Sequence, residues 1–429
     1  MPEDPKSFAV PRLGACAIAS PMRDAHFVKD EECVLCHDDV AEIRPFLETG
    51  QQPPAFELAG PREKIFFEPE ALKCGIVTCG GLCPGLNDVI RAIVLSLYYL
   101  YGVRTVFGFQ FGYEGLVPKF GHPPLELTPE KVSRIHEMGG TLLGSSRGSQ
   151  EVSEIVDTLA RLQVSILFAL GGDGTLRGGH AIAEEARRRG LKLSVICVPK
   201  TIDNDISYIQ ASFGFETAVE EARRATQAAH IEATGAGNGI GLVKLMGRDS
   251  GFIACYAALA DMDVNFCLIP ESPFTLENFL RALQERLERR GHAVVVAAEG
   301  AGQDFMGAGS ERDASGNVRY GDIGLFLRDK IKEHFQRVKM PINLKYIDQS
   351  YMIRSLPANA RDAAFCVLLG HSAVHAGMAG RTDMVVGFWK NRFTHVPIPL
   401  AASSRKKVDT NGFLWQSVLA ATGQPRQMR

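Results

Sequence analysis

Three loops in this chain hold residue types at spacings that can do chemistry, and each follows a short apolar run. The first is Cys79-Gly-Gly-Leu-Cys-Pro-Gly85. Its adjacent glycines let the backbone come close to an anion, and the helical periodicity of 86–100 puts a helix's amide end beside it. A tight turn in any doubly wound fold would look alike, so this loop alone is a weak signal. The second, Gly171-Gly-Asp-Gly-Thr175, places one carboxylate among glycines. Such an Asp can hold a magnesium ion while neighbouring amides face phosphates; the bland reading is a turn Asp capping the next helix. The third, Lys200-Thr-Ile-Asp-Asn-Asp205, packs two carboxylates and a cation into six residues. One carboxylate can take a hydroxyl proton while the other helps manage a metal. Taken together, the three loops point to phosphoryl transfer onto a hydroxyl. The chain has no Gly-Lys dipeptide, which excludes a Walker-type phosphate loop.

These loops need strands and helices to hold them. Apolar runs at 74–79, 164–170 and 193–198 lead into the three loops, and helix-like stretches follow at 86–100 and 176–189. Strands alternating with helices predict parallel sheets with helices on both faces, and ligands sit at the carboxyl ends of such strands. A second βα series runs through 239–245 before Met246-Gly-Arg-Asp-Ser-Gly251, 264–269 before Pro270, and 293–298 before Glu299. The expected organisation is an extension at 1–70, an α/β domain at 71–215 completed by about 352–400, a second α/β domain at 216–351, and a tail at 401–429. The tail reads as a short basic segment and a terminal helix.

Composition agrees with a soluble enzyme or binding protein of α/β type. The 429 residues predict two or three domains, 45% are apolar, and 47 Lys and Arg balance 49 Asp and Glu to a formal charge of −2. That balance excludes the broad basic field of a non-specific nucleic-acid binder. No apolar run approaches membrane-span length, and the opening Met1-Pro-Glu-Asp-Pro5 is not a basic-then-apolar leader. With ten cysteines placed mostly in apolar runs, the expectation is a cytoplasmic protein with free thiols and neither membrane nor nucleic acid as partner. Cys33-Val-Leu-Cys36-His37 matches a haem-attachment spacing, but no second ligand pair or export signal accompanies it, so it reads as accidental.

The chain resembles the phosphofructokinase family. The matching pieces, in the family's order, are 74–91, Gly144-Ser-Ser-Arg147, Gly171–Thr175, Thr201–Asp205, Met246-Gly-Arg248, Glu299 and Tyr351-Met-Ile-Arg354. They span roughly 71–395, and the wording of the third loop is most similar to the plant and trypanosomatid ATP-using branch. The resemblance implies two Rossmann-like domains with the active site in the cleft between them. It also implies Mg2+-dependent transfer of the ATP γ-phosphate to the 1-hydroxyl of fructose 6-phosphate, by a homo-oligomer (dimer or tetramer). Position by position, it implies Asp203 as general base, with Thr201 and Asp205 as its supports and Arg248 beside them. Asp173 becomes the magnesium-linked carboxylate. Gly81, Tyr113, Arg147, Gly148, Gly172, Gly174, Thr175 and Lys200 fall on the nucleotide side. On the sugar-phosphate side fall Ile202, Met246, Gly247, Glu299, Lys345, Tyr351, Met352, Ile353 and Arg354.

Two departures qualify the likeness. A subunit-bridging arginine of bacterial members falls on Gly239, and an effector-site arginine falls on Leu95, so neither property is inherited. Donor choice tracks Gly174 and Lys200: the pyrophosphate type pairs Asp with Lys, whereas Gly174 leaves room for the α-phosphate of ATP. The alternatives are a pyrophosphate-dependent enzyme, a kinase of the NAD or lipid type built on the 171–175 loop, and an inactive regulatory homologue. The second does not account for Thr201–Asp205 with Met246–Arg248, and the intact Asp173, Asp203 and Arg248 argue against the third.

Overall fold

A computed structural model describes residues 4–23, 25–307 and 318–428. The chain divides into two compact units. The first comprises Met1–Thr201, Ile206–Gly214 and Ser355–Arg405; the second comprises Ile202–Asp205, Phe215–Arg354 and Lys406–Arg429.

In the first unit, five parallel strands form the middle of a nine-stranded sheet, in the order Met384–Trp389, Ser194–Pro199, Ile166–Gly171, Lys73–Thr78 and Thr105–Phe109. Ile166–Gly171 and Ser194–Pro199 are buried at every position, which is why they read as unbroken apolar runs rather than alternating ones. The chain leaves Lys73–Thr78 for Thr105–Phe109 on one side and later returns to Ile166–Gly171 on the other. The carboxyl ends of Lys73–Thr78 and Ile166–Gly171 therefore frame a topological switch point, where open α/β sheets bind ligands. Helix Leu86–Leu100 packs along Ala360–Met378, so the late segment does return to this unit.

The amino-terminal residues, expected as an extension, contribute two strands to this sheet. Cys33–Leu35 pairs with Ala55–Leu58, which pairs antiparallel with Arg392–Pro397. The fully buried Arg381 fastens them, at 2.6 Å from Asp30 and 2.5 Å from Glu57. The Arg381–Glu57 pair is buried on both sides, and breaking such a pair by removing one partner costs about 3–5 kcal/mol; Asp30 is more exposed. In this segment Cys33 is exposed and Cys36 is buried.

The second unit is built on four parallel strands in the order Phe266–Leu268, His292–Ala298, Gly239–Leu245 and Asn343–Asp348. A side chain at Gly239 would put its Cβ 2.0 Å from the carbonyl oxygen of Ala233, so no arginine fits there. The tail is part of this unit from Lys406 onward: Gln424 bonds both backbone groups of Cys267, at 2.6 and 3.3 Å, and helix Phe413–Thr422 buries Trp415 and Val418. Among the described residues, no helix is long and apolar enough to cross a membrane.

Candidate active site

In the first unit, the loops after three neighbouring strands converge. Helix Asp173–Arg188 starts directly after Ile166–Gly171 with Gly172 as its cap, and no side chain caps it. Its first amides are thus available to an anion. A Cβ added at Gly174 would meet nothing within 4 Å, so glycine here keeps an open approach to the helix end. Behind the helix, the buried Tyr113 donates its hydroxyl to the carbonyl of Thr175 at 2.9 Å, and burial pushes its phenol well above the ordinary range. Tyr113 braces the loop rather than opening onto it. Lys200, also buried, donates to the carbonyl of Gly81 at 2.7 Å. Ser145 donates to the carbonyl of Gly80 at 2.6 Å, which holds the segment carrying the exposed Arg147 and Gly148 against the first loop.

Asp173 is half-buried at the first position of its helix. Arg177 lies 2.8 Å and Arg405 3.3 Å from its Oδ2, and Oδ1 takes neither. A carboxylate with one oxygen clear of these cations, beside open glycine backbone, fits a hydrated divalent cation.

In the second unit, Asp203 is half-buried, with Oδ1 out of solvent. Burial first, then the charges of Asp205, Glu299 and Asp249, push its carboxyl up to about 8, against the pull of Arg354. A proton acceptor near the working pH is what general-base catalysis wants. Glu299 follows His292–Ala298 and donates its amide to the carbonyl of Leu245 at 2.9 Å. Burial raises its carboxyl too, while Arg354 and Arg248 oppose the rise. Gly247, at φ +122°, makes the turn out of Gly239–Leu245, and Gly300 donates to its carbonyl at 3.0 Å. Arg354 approaches the sulfur of Met246 at 3.8 Å. Met246, Gly247, Glu299, Arg354 and Asp203 thus gather at the carboxyl ends of this sheet, with Ile202 and Ile353 buried beneath.

Other expected residues stand differently. Lys345 is the third residue of Asn343–Asp348, in register with Gly241, and pairs with Glu232 at 3.8 Å. That register places it in the amino half of the sheet, roughly 10 Å or more from the carboxyl ends at about 3.3 Å per residue, so it is not brought to the Arg354 cluster. Tyr351 and Met352 are exposed, Tyr351 at 81%. Arg248 donates to the carbonyl of Val318 and lies 4.3 Å over the ring of Tyr320.

Sequence reasoning missed Arg405 and Lys406, reading them only as a basic stretch. Lys406 donates its amide to the carbonyl of Asp205 at 2.7 Å, and burial lowers its ammonium to about 8 against the pull of that same Asp. A further cluster, His180, Glu184 and Asp383, holds potential metal ligands. Its members are already paired: His180 with Asp383 at 2.9 Å and Glu184 with Arg187 at 2.5 Å.

Comparison with known proteins adds identity to this geometry. A family model described as Phosphofructokinase matches residues 73–377. The chain is 48% identical to a protein of Borreliella burgdorferi named ATP-dependent 6-phosphofructokinase, over 98% of both chains. It is 49% identical to a protein of the same name from Trypanosoma cruzi, over 85% of this chain and 76% of that one. Among solved structures, a pyrophosphate-dependent phosphofructokinase from Marinobacter aquaeolei matches with a TM-score of 0.67 at 18% identity, over 83% of this chain and 96% of the other. At that identity the likeness speaks for the fold alone.

Proposed function

The chain belongs to the phosphofructokinase family, and we infer that it is an ATP-dependent 6-phosphofructokinase. It transfers the γ-phosphoryl group of ATP to the 1-hydroxyl of fructose 6-phosphate, giving fructose 1,6-bisphosphate and ADP. The observation that carries the reading is the gathering of Asp203, Glu299, Met246 and Arg354 at the carboxyl ends of the second sheet, where burial and neighbouring acids raise the Asp203 carboxyl.

Phosphoryl transfer asks for positioning, charge neutralisation and an oriented nucleophile more than for covalent chemistry. Asp203 accepts the proton of the 1-hydroxyl as its oxygen bonds the γ-phosphorus; the bond to the bridging oxygen breaks and ADP leaves. The amide end of helix Asp173–Arg188 and the glycines at 172 and 174 receive the donor's phosphates, and Lys200 supplies a fixed positive charge beside Gly81. Asp173 would hold Mg2+, which supplies neutralisation of the transferring phosphoryl charge. Arg354, Arg248 and Glu299 orient the sugar phosphate. A Cβ at Gly174 would meet nothing within 4 Å, and the absence of a side chain there leaves room that the α-phosphate of ATP would use, which supports ATP over pyrophosphate as donor.

The ten free cysteines support a cytoplasmic location, where thiols stay reduced. A homo-oligomer accords with the exposed Tyr351 and Met352, and light scattering on the purified chain measures it. The experiment that tests the activity is a coupled assay of purified protein with fructose 6-phosphate and Mg2+, run with ATP and with pyrophosphate. ATP turnover at least tenfold above pyrophosphate turnover supports the reading; a reversed ratio overturns it.

A further inference from the structure

We propose that Arg405 is a positioning residue of the donor site: it holds Oδ2 of Asp173, so that Oδ1 is presented to a divalent cation, and it adds positive charge that favours the metal–nucleotide. The proposal rests on the reading of Asp173 as the magnesium-linked carboxylate.

Four observations bear on it. The guanidinium straddles one oxygen of Asp173, with Nε at 3.4 Å and Nη2 at 3.3 Å. Arg177 reaches the same oxygen from one helical turn away and is largely exposed, whereas Arg405 arrives from 232 residues later and is mostly shielded, with 28% of its side chain exposed against 57%. Screening by water weakens the exposed pair more than the shielded one.

The backbone around Arg405 is also held in a single register. Arg405 forms an antiparallel bridge with Ile206, and the hydroxyl of Ser207 bonds the carbonyl and hydroxyl of Ser404 at 2.9 and 2.8 Å. The Lys406 amide donates to Asp205 at 2.7 Å. These bonds fix the backbone at 404–406, and with it which side chain meets Asp173. Finally, Arg405 lies beyond residues 73–377, the stretch that the family model matches, so no motif of that stretch includes it.

The charges make a prediction with two opposite signs. A guanidinium on Asp173 disfavours a bare cation at the same carboxylate. Once a nucleotide brings several negative charges, the same guanidinium becomes favourable. In Arg405→Gln, binding of Mn2+ without nucleotide should therefore tighten about threefold, while Mg2+ with a non-hydrolysable ATP analogue should bind about tenfold more weakly, the scale expected for a partly screened charge. Arg405→Lys keeps the charge and should restore most of the nucleotide affinity. A merely structural arginine would weaken both ligands together.

The test uses the full chain. Electron paramagnetic resonance counts free Mn2+, calorimetry measures the ATP analogue, and a thermal melt checks folding. Opposite shifts in Arg405→Gln with rescue by Arg405→Lys support the proposal. No shift in either ligand, or a joint loss that follows the melting temperature, overturns it. Asp173→Asn separates the premises. If that variant loses Mn2+ binding while Arg405→Gln moves nothing, the inference about Arg405 alone fails. If it keeps Mn2+ and nucleotide affinity, the reading of Asp173 fails and the proposal with it.

Discussion

The Lys200 ammonium lies 2.7 Å from the carbonyl oxygen of Gly81, so one buried cation ties the loop after Ser194–Pro199 to the loop after Lys73–Thr78. The bond closes the switch point of the first sheet with a charge already in place before a donor arrives. Pre-organised charge of this kind costs no rearrangement at the moment of reaction.

Lys200→Met should remove that tie while keeping much of the apolar stem. The loss of one charge-assisted bond costs about 1–3 kcal/mol, which a thermal melt would register as a drop of a few degrees. KM for ATP should rise about tenfold, on the scale of one such bond, with KM for fructose 6-phosphate nearly unchanged. An unaltered KM for ATP would remove Lys200 from the donor site.

Asp203→Ser should leave the fold and both substrate affinities close to normal while cutting kcat by about 10²–10⁴-fold, the usual worth of a general base. Rapid quench of the phosphoryl step checks it. Near-normal turnover would mean that another group accepts the proton.

The pH profile follows from the raised carboxyl of Asp203. A base acts only when deprotonated, so kcat/KM for fructose 6-phosphate should fall as pH drops through about 8 and lose about tenfold per unit below that. Arg354 opposes the rise, so Arg354→Met should move the acid limb to still higher pH. It should also weaken fructose 6-phosphate far more than ATP, because a charge-assisted contact to the sugar's phosphate is gone. An acid limb unmoved by Arg354→Met would place the two groups in separate environments.

How far the chain could be read beforehand depended on how local each signal was. The α/β class was legible because strands such as Ile166–Gly171 are buried on both faces and announce themselves as apolar runs ending in glycine. The loops at 171–175 and 201–205 were legible because their carboxylates sit within a few residues of the strand ends that carry them. Lys345 was placed with the sugar-phosphate residues because family order says nothing of depth along a strand; the register with Gly241 settles that depth. Phe56, fully buried in a four-residue strand, gave too short an alternation to distinguish the amino-terminal strands from loop. Arg405 could not be found at all. Its partner lies 232 residues away, and nothing in Ser403-Ser-Arg-Lys-Lys407 distinguishes a partly buried ion pair from a solvated basic run.

Gly174→Asp bears most directly on donor choice. Nothing lies within 4 Å of a side chain's first carbon at this position, so the variant should fold and melt like the parent. The residue is exposed at the second position of helix Asp173–Arg188, where an acid is tolerated and even favoured by the helix dipole. Stability and function are thereby separated: the new carboxylate does no harm to the fold, yet it occupies the approach that the α-phosphate would use. Its negative charge would meet the phosphate's within a few ångströms, a repulsion that exclusion of water strengthens. Affinity for ATP should fall by at least tenfold, while the neighbouring Lys200 leaves the pairing associated with pyrophosphate use. A gain with pyrophosphate should be small, since one substitution leaves every other residue of the donor site unchanged. Wild-type KM and kcat with ATP in a correctly folded Gly174→Asp protein would show that Gly174 does not line the donor site, and the preference for ATP would lose its physical basis.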